Sequence, residues 1–389
     1  MPQQPRWRGR WTRRWGQGAS TPGTRRWIRG PNLLPWLAVA LVPAFSLTAI
    51  VTASHRAHYE ELARAWKSNG DVALREHDPA GAVEAFRNAL RFAREDRTLR
   101  LRLAEALAAA GQTSEARAYL LRLWDDQPGN GQVNLELARV AASTDAAADA
   151  VRYYHNAIEG AWPSDAETHR RQLRLELAGY LIDRGDAHLA EAELIALAGD
   201  LPEDPAFRLR VAALFASAGA HRRAQSIYDE LTGSSAVGAR ALHGAAAAAL
   251  ALGDHAAVVR YLSQLPAQQL EPATRDMLET SRLVLQLDPY RRGLASRVRV
   301  ARARRIIEVA ATRLDACTPA PSALRQMRDE LRKILRSGTA RWARTPEGFD
   351  TAVLLAYRSA YAARESCGAL TPPDRALLIL HAQMPEPPS

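Results

Sequence analysis

The chain has 389 residues, 47% hydrophobic and 24% charged, with a formal net charge of +10 at pH 7. That length suffices for a sizeable core or for a solenoid with many local ones. The positive balance excludes no fold and does not signal nucleic acid: eight arginines lie in the first 30 residues, which hold no acid, and removing them leaves +2 on the rest.

Residues 1–32 read as a basic tail rich in Arg, Trp, Gly and Thr, with Trp7, Trp11, Trp15 and Trp27. Leu33 to Ala53 follows without a charge. At ~1.5 Å per residue it reaches roughly 30 Å, enough to cross a bilayer. Pro35 and Pro43 fall inside it, and a membrane helix tolerates such a kink. Arginines crowd its N-terminal side, which predicts a cytoplasmic N-terminus and an extracytoplasmic remainder. The leading expectation is a transmembrane signal anchor over 33–53. A cleaved signal peptide is the first alternative, with Val51-Thr52-Ala53 as cleavage position. A buried soluble helix is the second. Thr24 to Arg29 partly resembles a twin-arginine export signal. The tail's arginines set orientation, or also meet anionic headgroups at about 1 kcal/mol per basic residue. From Tyr59 to Lys67 helix-forming residues run on into the next region, so a flexible linker is not expected.

From 59 to 272 the chain repeats a 34-residue unit six times, at about 63–96, 97–130, 131–164, 171–204, 205–238 and 239–272. Position eight reads Gly70, Ala104, Ala138, Ala178, Ala212 and Ala246. Position twenty reads Ala82, Ala116, Ala150, Ala190, Ala224 and Val258. Two antiparallel helices approach closely where side chains are small, and larger residues at positions 24 and 27 fill the space against the next hairpin. Each unit has an apolar face that it cannot bury alone, so stacking makes the core. These units resemble tetratricopeptide repeats, over about 200 residues. The third has Asp145 at the bend in place of glycine, and an insert, Asp165 to Arg170, precedes the fourth.

The resemblance implies that the first helix of each hairpin lines a concave groove. Position five of that helix reads Lys67, Leu101, Leu135, Leu175, Leu209 and His243. These six are the candidate partner-binding residues, for an apolar helix or extended segment of another protein. The competing reading covers the leucines with the chain's own neighbouring helices. The repeats that clamp acidic chaperone tails use Lys, Asn and Asn at set positions. Here Lys67 fits, but Asp71 and Arg102 stand at the other two.

Residues 273–384 read as a helical C-terminal region, after a candidate capping helix at Pro272 to Leu287. Arg291 to Arg305 holds seven arginines and no acid, with Leu294, Val298, Ala301 and Ile306 at helical spacing. It is a solvated amphipathic face, or a basic face for lipid, nucleic acid or an acidic partner. Further helices are predicted near Ser322 to Arg336, Glu347 to Ser366 and Pro373 to His381. Cys317 and Cys367 are the only cysteines. In an oxidising compartment they can form a disulfide; two inert thiols or a redox pair are the alternatives.

No Walker loop, dinucleotide fingerprint, nucleophile elbow, H-E-x-x-H or C-x-x-C is present. His155, His188, His221 and His255 fall at turn or surface-type positions, so no metal ligand, cofactor or catalytic residue is assigned. The expected class is an all-α, non-enzymatic scaffold. It consists of a tetratricopeptide-like solenoid behind a single transmembrane helix, with a helical C-terminal region. Lysine scarcity and abundant alanine point to a GC-rich bacterial genome, hence to the inner membrane with a periplasmic solenoid. Partners are proteins or peptides, with no nucleic acid and no small-molecule substrate. One alternative is a part of polysaccharide export or envelope assembly. The other is an enzyme with its site in the C-terminal region, which a deep polar pocket with clustered carboxylates there would favour.

Overall fold

The computed structural model describes residues 33–384; the basic tail expected over 1–32 lies outside the described residues, as does 385–389. Helices make up the described elements, and no strand occurs among them. The chain divides into two units, Met1–Ala110 and Gly111–Ser389.

In the first unit α1 (Leu33–Arg75) is one continuous helix of 43 residues with Pro43 inside it. No helix among the described residues is long and apolar enough to cross a membrane, so the spanning segment expected over 33–53 is not found as such. Exposed apolar side chains run from Val39 through Leu41, Val42, Phe45, Leu47 and Ile50 to Val51. That stretch rises only about 20 Å, and His55 and Arg56 follow. The side chains of 33–38 and 40 lie outside the described residues. Farther on, α1 pairs with α2 (Pro79–Phe92), and α3 (Arg97–Ala109) packs on α2. A Cβ at Gly70 would sit 2.6 Å from the Phe86 ring, so only glycine lets these two helices close. Phe86, Ala82 and Ala89 are fully buried by that approach.

The second unit continues with α4 (Thr113–Asp126), α5 (Gly131–Ser143), α6 (Ala147–Glu159), α7 (Ala166–Asp183) and α8 (Ala187–Ala198). Then come α9 (Pro205–Ser217), α10 (His221–Leu231), α11 (Gly238–Ala251) and α12 (His255–Leu262). The small residues of position twenty are all buried here: Ala116, Ala150, Ala190, Ala224 and Val258. Leu120, Leu194 and Leu262 at position 24 are buried with them. The insert is no loop. Asp165 stands just before α7, and the remaining insert residues form the first turns of that helix. Trp162 fastens it by stacking on His169, with ring centroids 4.1 Å apart, and its indole N–H donates to the Ala157 carbonyl at 3.0 Å.

Two local devices recur. Position fifteen turns each hairpin in the left-handed region: His77, Gly111, Asp145, Gly185, Gly219 and Gly253 all have φ between 58° and 84°. Glycine is the residue that adopts this freely, and His77 and Asp145 do so against the contact of their own Cβ. The residue closing a unit caps the next first helix. Asp96 accepts from the Thr98 and Leu99 N–H groups, Asn130 from Gln132 and Val133, and Asp204 from Ala206 and Phe207.

The stack ends on α13 (Pro272–Leu287), which packs against α12. His255, expected at a turn or surface position, is instead buried, with Nδ1 3.1 Å from the Ser281 hydroxyl of α13. There follow α14 (Ser296–Asp315), α15 (Ser322–Ser337), α16 (Thr339–Trp342), α17 (Pro346–Ala363) and α18 (Pro372–Ala382). Their shared core holds Ile306, Ile307, Leu314, Leu331, Val353 and Leu377. The buried stripe of α14 is therefore Ala303, Ile306, Ile307 and Ala310. The expected stripe was out of phase, since Val298 and Ala301 are exposed. Arg302 leaves the basic face to close α13, donating to the Leu285 and Asp288 carbonyls at 3.0 and 2.8 Å. Cys317, past α14, is joined to Cys367, past α17, by a disulfide. Arg313 holds the same loop, donating to the carbonyls of Gly368 and Ala369 at 2.8 and 2.9 Å.

His77→Gly is expected to stabilise the chain by roughly 0.5–1 kcal/mol, the left-handed penalty less the entropy cost of glycine; urea denaturation measures it. Burial lowers the His255 pKa below its ordinary value. The folded state then binds this proton less readily than the unfolded chain. Stability is complete above the unfolded value of about 6.5 and declines as pH falls through it. Melting temperature between pH 8 and 5 checks this, and His255→Gln should flatten the decline.

Candidate functional site

Position five does not form an apolar groove. Leu101, Leu135 and Leu175 are 9%, 9% and 8% exposed, so they belong to the core. Leu209, His243 and Lys67 are half-buried. In the second unit Leu135 lies on α5 beside the buried Asn134, which donates to the Pro128 and Asn130 carbonyls at 2.8 Å each. The competing reading, in which neighbouring helices cover these leucines, is what the structure shows for three of the six. Half-buried apolar residues occur instead at position twelve, Ala142, Ile182, Ala216 and Leu250 in this unit.

What the first helices present to one another is charge. Arg139 of α5 donates to both oxygens of Glu176 on α7, at 2.8 and 2.9 Å, and also to Glu136 at 2.9 Å. The Tyr154 hydroxyl donates to Glu176 at 3.0 Å. Burial alone would raise the Glu176 carboxyl, but the hydrogen bonds and charge of Arg139 and the Tyr154 hydroxyl outweigh it and hold the pKa below its ordinary value. One repeat further, Arg210 donates to Gln172 at 2.9 Å. The second helices carry a parallel row, Arg117 to Asp149 at 3.2 Å and Arg223 to Glu191 at 3.2 Å. These pairs set the register between neighbouring hairpins. In the first unit Arg102 pairs with Asp71 at 3.0 Å. That pair occupies the two positions where a carboxylate clamp needs asparagines.

Exposed apolar surface lies instead on α8. Leu189 and Ile195 are exposed there, with Ala192 and Ala196 beside them along one stripe. This signal was present in the sequence, since Leu189, Ala192, Ile195 and Ala196 recur at helical spacing beside the buried positions Ala190, Leu194 and Leu197, a pattern that leaves a second apolar stripe on the helix.

The C-terminal region holds a second candidate, a half-open cavity of about 630 Å³. Its polar lining includes Asp288, Tyr290, Glu347, Asp350, Thr351 and Gln383, and Leu354, Tyr357, Leu380 and Met384 supply the rest. The Tyr290 hydroxyl donates to Asp350 at 2.8 Å, and the Tyr290 N–H donates to Asp288 at 2.8 Å. Burial raises the pKa of both Tyr290 and Tyr357, which stay protonated at neutral pH. Spacing in sequence gave no hint of this cavity, because its walls come from the ends of α13, α17 and α18. It is mixed in character rather than the deep polar pocket expected of an active site. Among the described residues no group of three or more His, Cys, Asp or Glu could hold a metal ion.

Residues 73–140 match the tetratricopeptide repeat family, and the helical hairpins on either side of that segment continue the same 34-residue pattern. No curated protein matches the chain. Among solved structures, a tetratricopeptide repeat protein from Parabacteroides merdae is 12% identical, covering 71% of this chain and 98% of its own, with a TM-score of 0.40. PilW, a type IV pilus biogenesis factor, is 19% identical over 56% of this chain and 97% of its own, at 0.41. YrrB, a repeat protein with an unusual peptide-binding site, is 16% identical over 52% and 100%, at 0.39. At these scores the likenesses carry no functional argument.

Leu135→Ala and Leu175→Ala should each cost about 2–4 kcal/mol of stability, the range for buried leucines. Urea denaturation followed by far-ultraviolet circular dichroism measures the loss. Groove leucines awaiting a partner would leave the midpoint unchanged.

Proposed function

We propose that the protein is a non-enzymatic scaffold held at a bacterial inner membrane, its repeats on the extracytoplasmic side, where they gather other envelope proteins. The observation that carries this is the continuity of α1. One helix runs from a head of exposed apolar side chains, Val39 to Val51, into the first repeat hairpin at Ala63. Water does not favour such a head, and a bilayer does. In sequence the uncharged stretch begins at Leu33, which extends it to roughly 30 Å. The arginines before it orient the tail to the cytoplasm. The Cys317–Cys367 disulfide agrees with an oxidising compartment.

Protein contact falls to the outer face of α8 rather than to position five. Leu189 and Ile195 are 44% and 43% exposed, so a partner can bury them without opening the repeat. A polar first-helix face, already paired within itself, adds orientation rather than apolar area.

Protease treatment of intact spheroplasts that express the full chain tests the placement. Digestion from outside, with Cys317 and Cys367 linked on a non-reducing gel, is the expected result. Protection with both thiols free refutes the placement. Site-specific photo-crosslinking from position 189 tests the contact. Adducts with envelope proteins should form there and disappear in the Ile195→Glu background, while the melting temperature stays constant.

A further inference from the structure

We propose that the cavity at the ends of α13, α17 and α18 binds an organic cation with an apolar body. Its volume of about 630 Å³ lies within the range of small-molecule sites, ~300–1,000 Å³. Asp288, Glu347 and Asp350 all line it, and no basic residue does. None of the three makes a salt bridge among the described residues. Basic groups stand beside it: Arg302 donates to the Asp288 carbonyl at 2.8 Å, and Arg344 lines a neighbouring hollow with Asp350. Arg299 covers the Phe349 ring at 5.2 Å and shares a neighbouring hollow with Asp350. His381 of α18 packs against the Tyr357 ring at 6.2 Å.

Two of the carboxylates are already oriented. Tyr290 holds one oxygen of Asp350 through its hydroxyl and one oxygen of Asp288 through its backbone N–H. Each keeps its other oxygen for a ligand. Tyr357 is the independent observation. It is 1% exposed, it lines the cavity, and its hydroxyl makes no hydrogen bond among the described residues. Asp288 and Tyr290 are the polar groups whose charge it feels. The hydroxyl oxygen is open to the cavity, where a ligand N–H directed at it would pair it.

The remaining walls choose the class. Leu354, Leu380, Met384 and the Tyr357 ring offer apolar surface and aromatic π density, which suit a hydrocarbon body and a cation next to it. An anion meets three carboxylates. A neutral apolar molecule gains nothing from them, since Glu347 and Asp350 are exposed and hydrated. A bare metal ion lacks the ligand cluster it needs among the described residues. An ammonium or guanidinium on an aliphatic or aryl chain satisfies every wall.

The test is isothermal titration of the purified full-length chain in detergent with three probes of one shape: 4-phenylbutylamine, 4-phenylbutanol and 4-phenylbutyrate. The amine should bind at least about tenfold more tightly than the alcohol, and the acid not detectably, because the discrimination is electrostatic. Glu347→Gln with Asp350→Asn should lower amine affinity about tenfold and move the alcohol less than twofold. Tyr357→Phe should weaken the amine about threefold or more. Equal binding of the three probes, or no binding of the amine, overturns the proposal on the wild-type chain alone, whether or not the variants fold. Amine binding that survives loss of both carboxylates overturns it as well, since the heat then comes from elsewhere.

Discussion

Everything in the repeat region depends on how closely two antiparallel helices approach. Closeness requires that one partner carry almost no side chain at the crossing. Gly70 meets the Phe86 ring there, and Gly244 of α11 meets the ring of Tyr228 on α10 in the same way. Elsewhere alanine suffices, at Ala138, Ala178, Ala212 and Ala246, all fully buried. The crossing fixes the rest. Once the small side is buried, the large residue opposite has one place to go, and the apolar remainder must face the next hairpin. Register along the stack is then trimmed by charge, with Arg139 and Glu176 as the best-defined example. Such half-exposed pairs add little stability each, but they disfavour any slip that would separate them.

That constraint explains why the leucine ladder is core. Position five lies three residues before the small residue of position eight, close to the helix crossing. Where the helices pack as tightly as the fully buried Ala138 and Ala178 allow, Leu135 and Leu175 are buried too. Toward the end of the stack the cover thins, and Leu209 and His243 are half-buried. Apolar periodicity thus marks a packing face, and whether that face meets the chain itself or a partner depends on the distance between helices. Sequence spacing does not contain that distance.

Legibility in the sequence follows the range of the interaction. The hairpins, their small positions and most C-terminal helices are set by contacts within about 34 residues, and they were readable. The cap residues at Asp96, Asn130 and Asp204 are local too and were legible in principle, as an Asp or Asn ahead of each first helix. His77 was missed because the first bend lacks the expected glycine, and the backbone alone reveals its positive φ. The phase of α14 differs from the expected one because its buried stripe runs from Ala303 through Ile306, Ile307 and Ala310 to Leu314, sharing only Ile306 with the expected positions. Arginine crowding drew attention to the wrong face. The cavity was out of reach. Tyr290 joins Asp288 to Asp350, which lies 60 residues beyond Tyr290.

The C-terminal region is where local and distant constraints meet. The disulfide and Arg313 both hold the loop after α17 to the end of α14. Arg302 closes α13 from the start of α14. α18 packs on α13 and on α17. The elements that wall the cavity are thus braced by a covalent link and by paired carbonyls, not by the apolar core alone. Preorganisation of this kind matters most for a polar site, because carboxylates held in place before binding need not be gathered at the ligand's expense. The stack of repeats needs no such bracing, since each hairpin is supported by its neighbours. The region that ends the stack has a neighbour on one side only, through α13, and supplies the other support from its own chain.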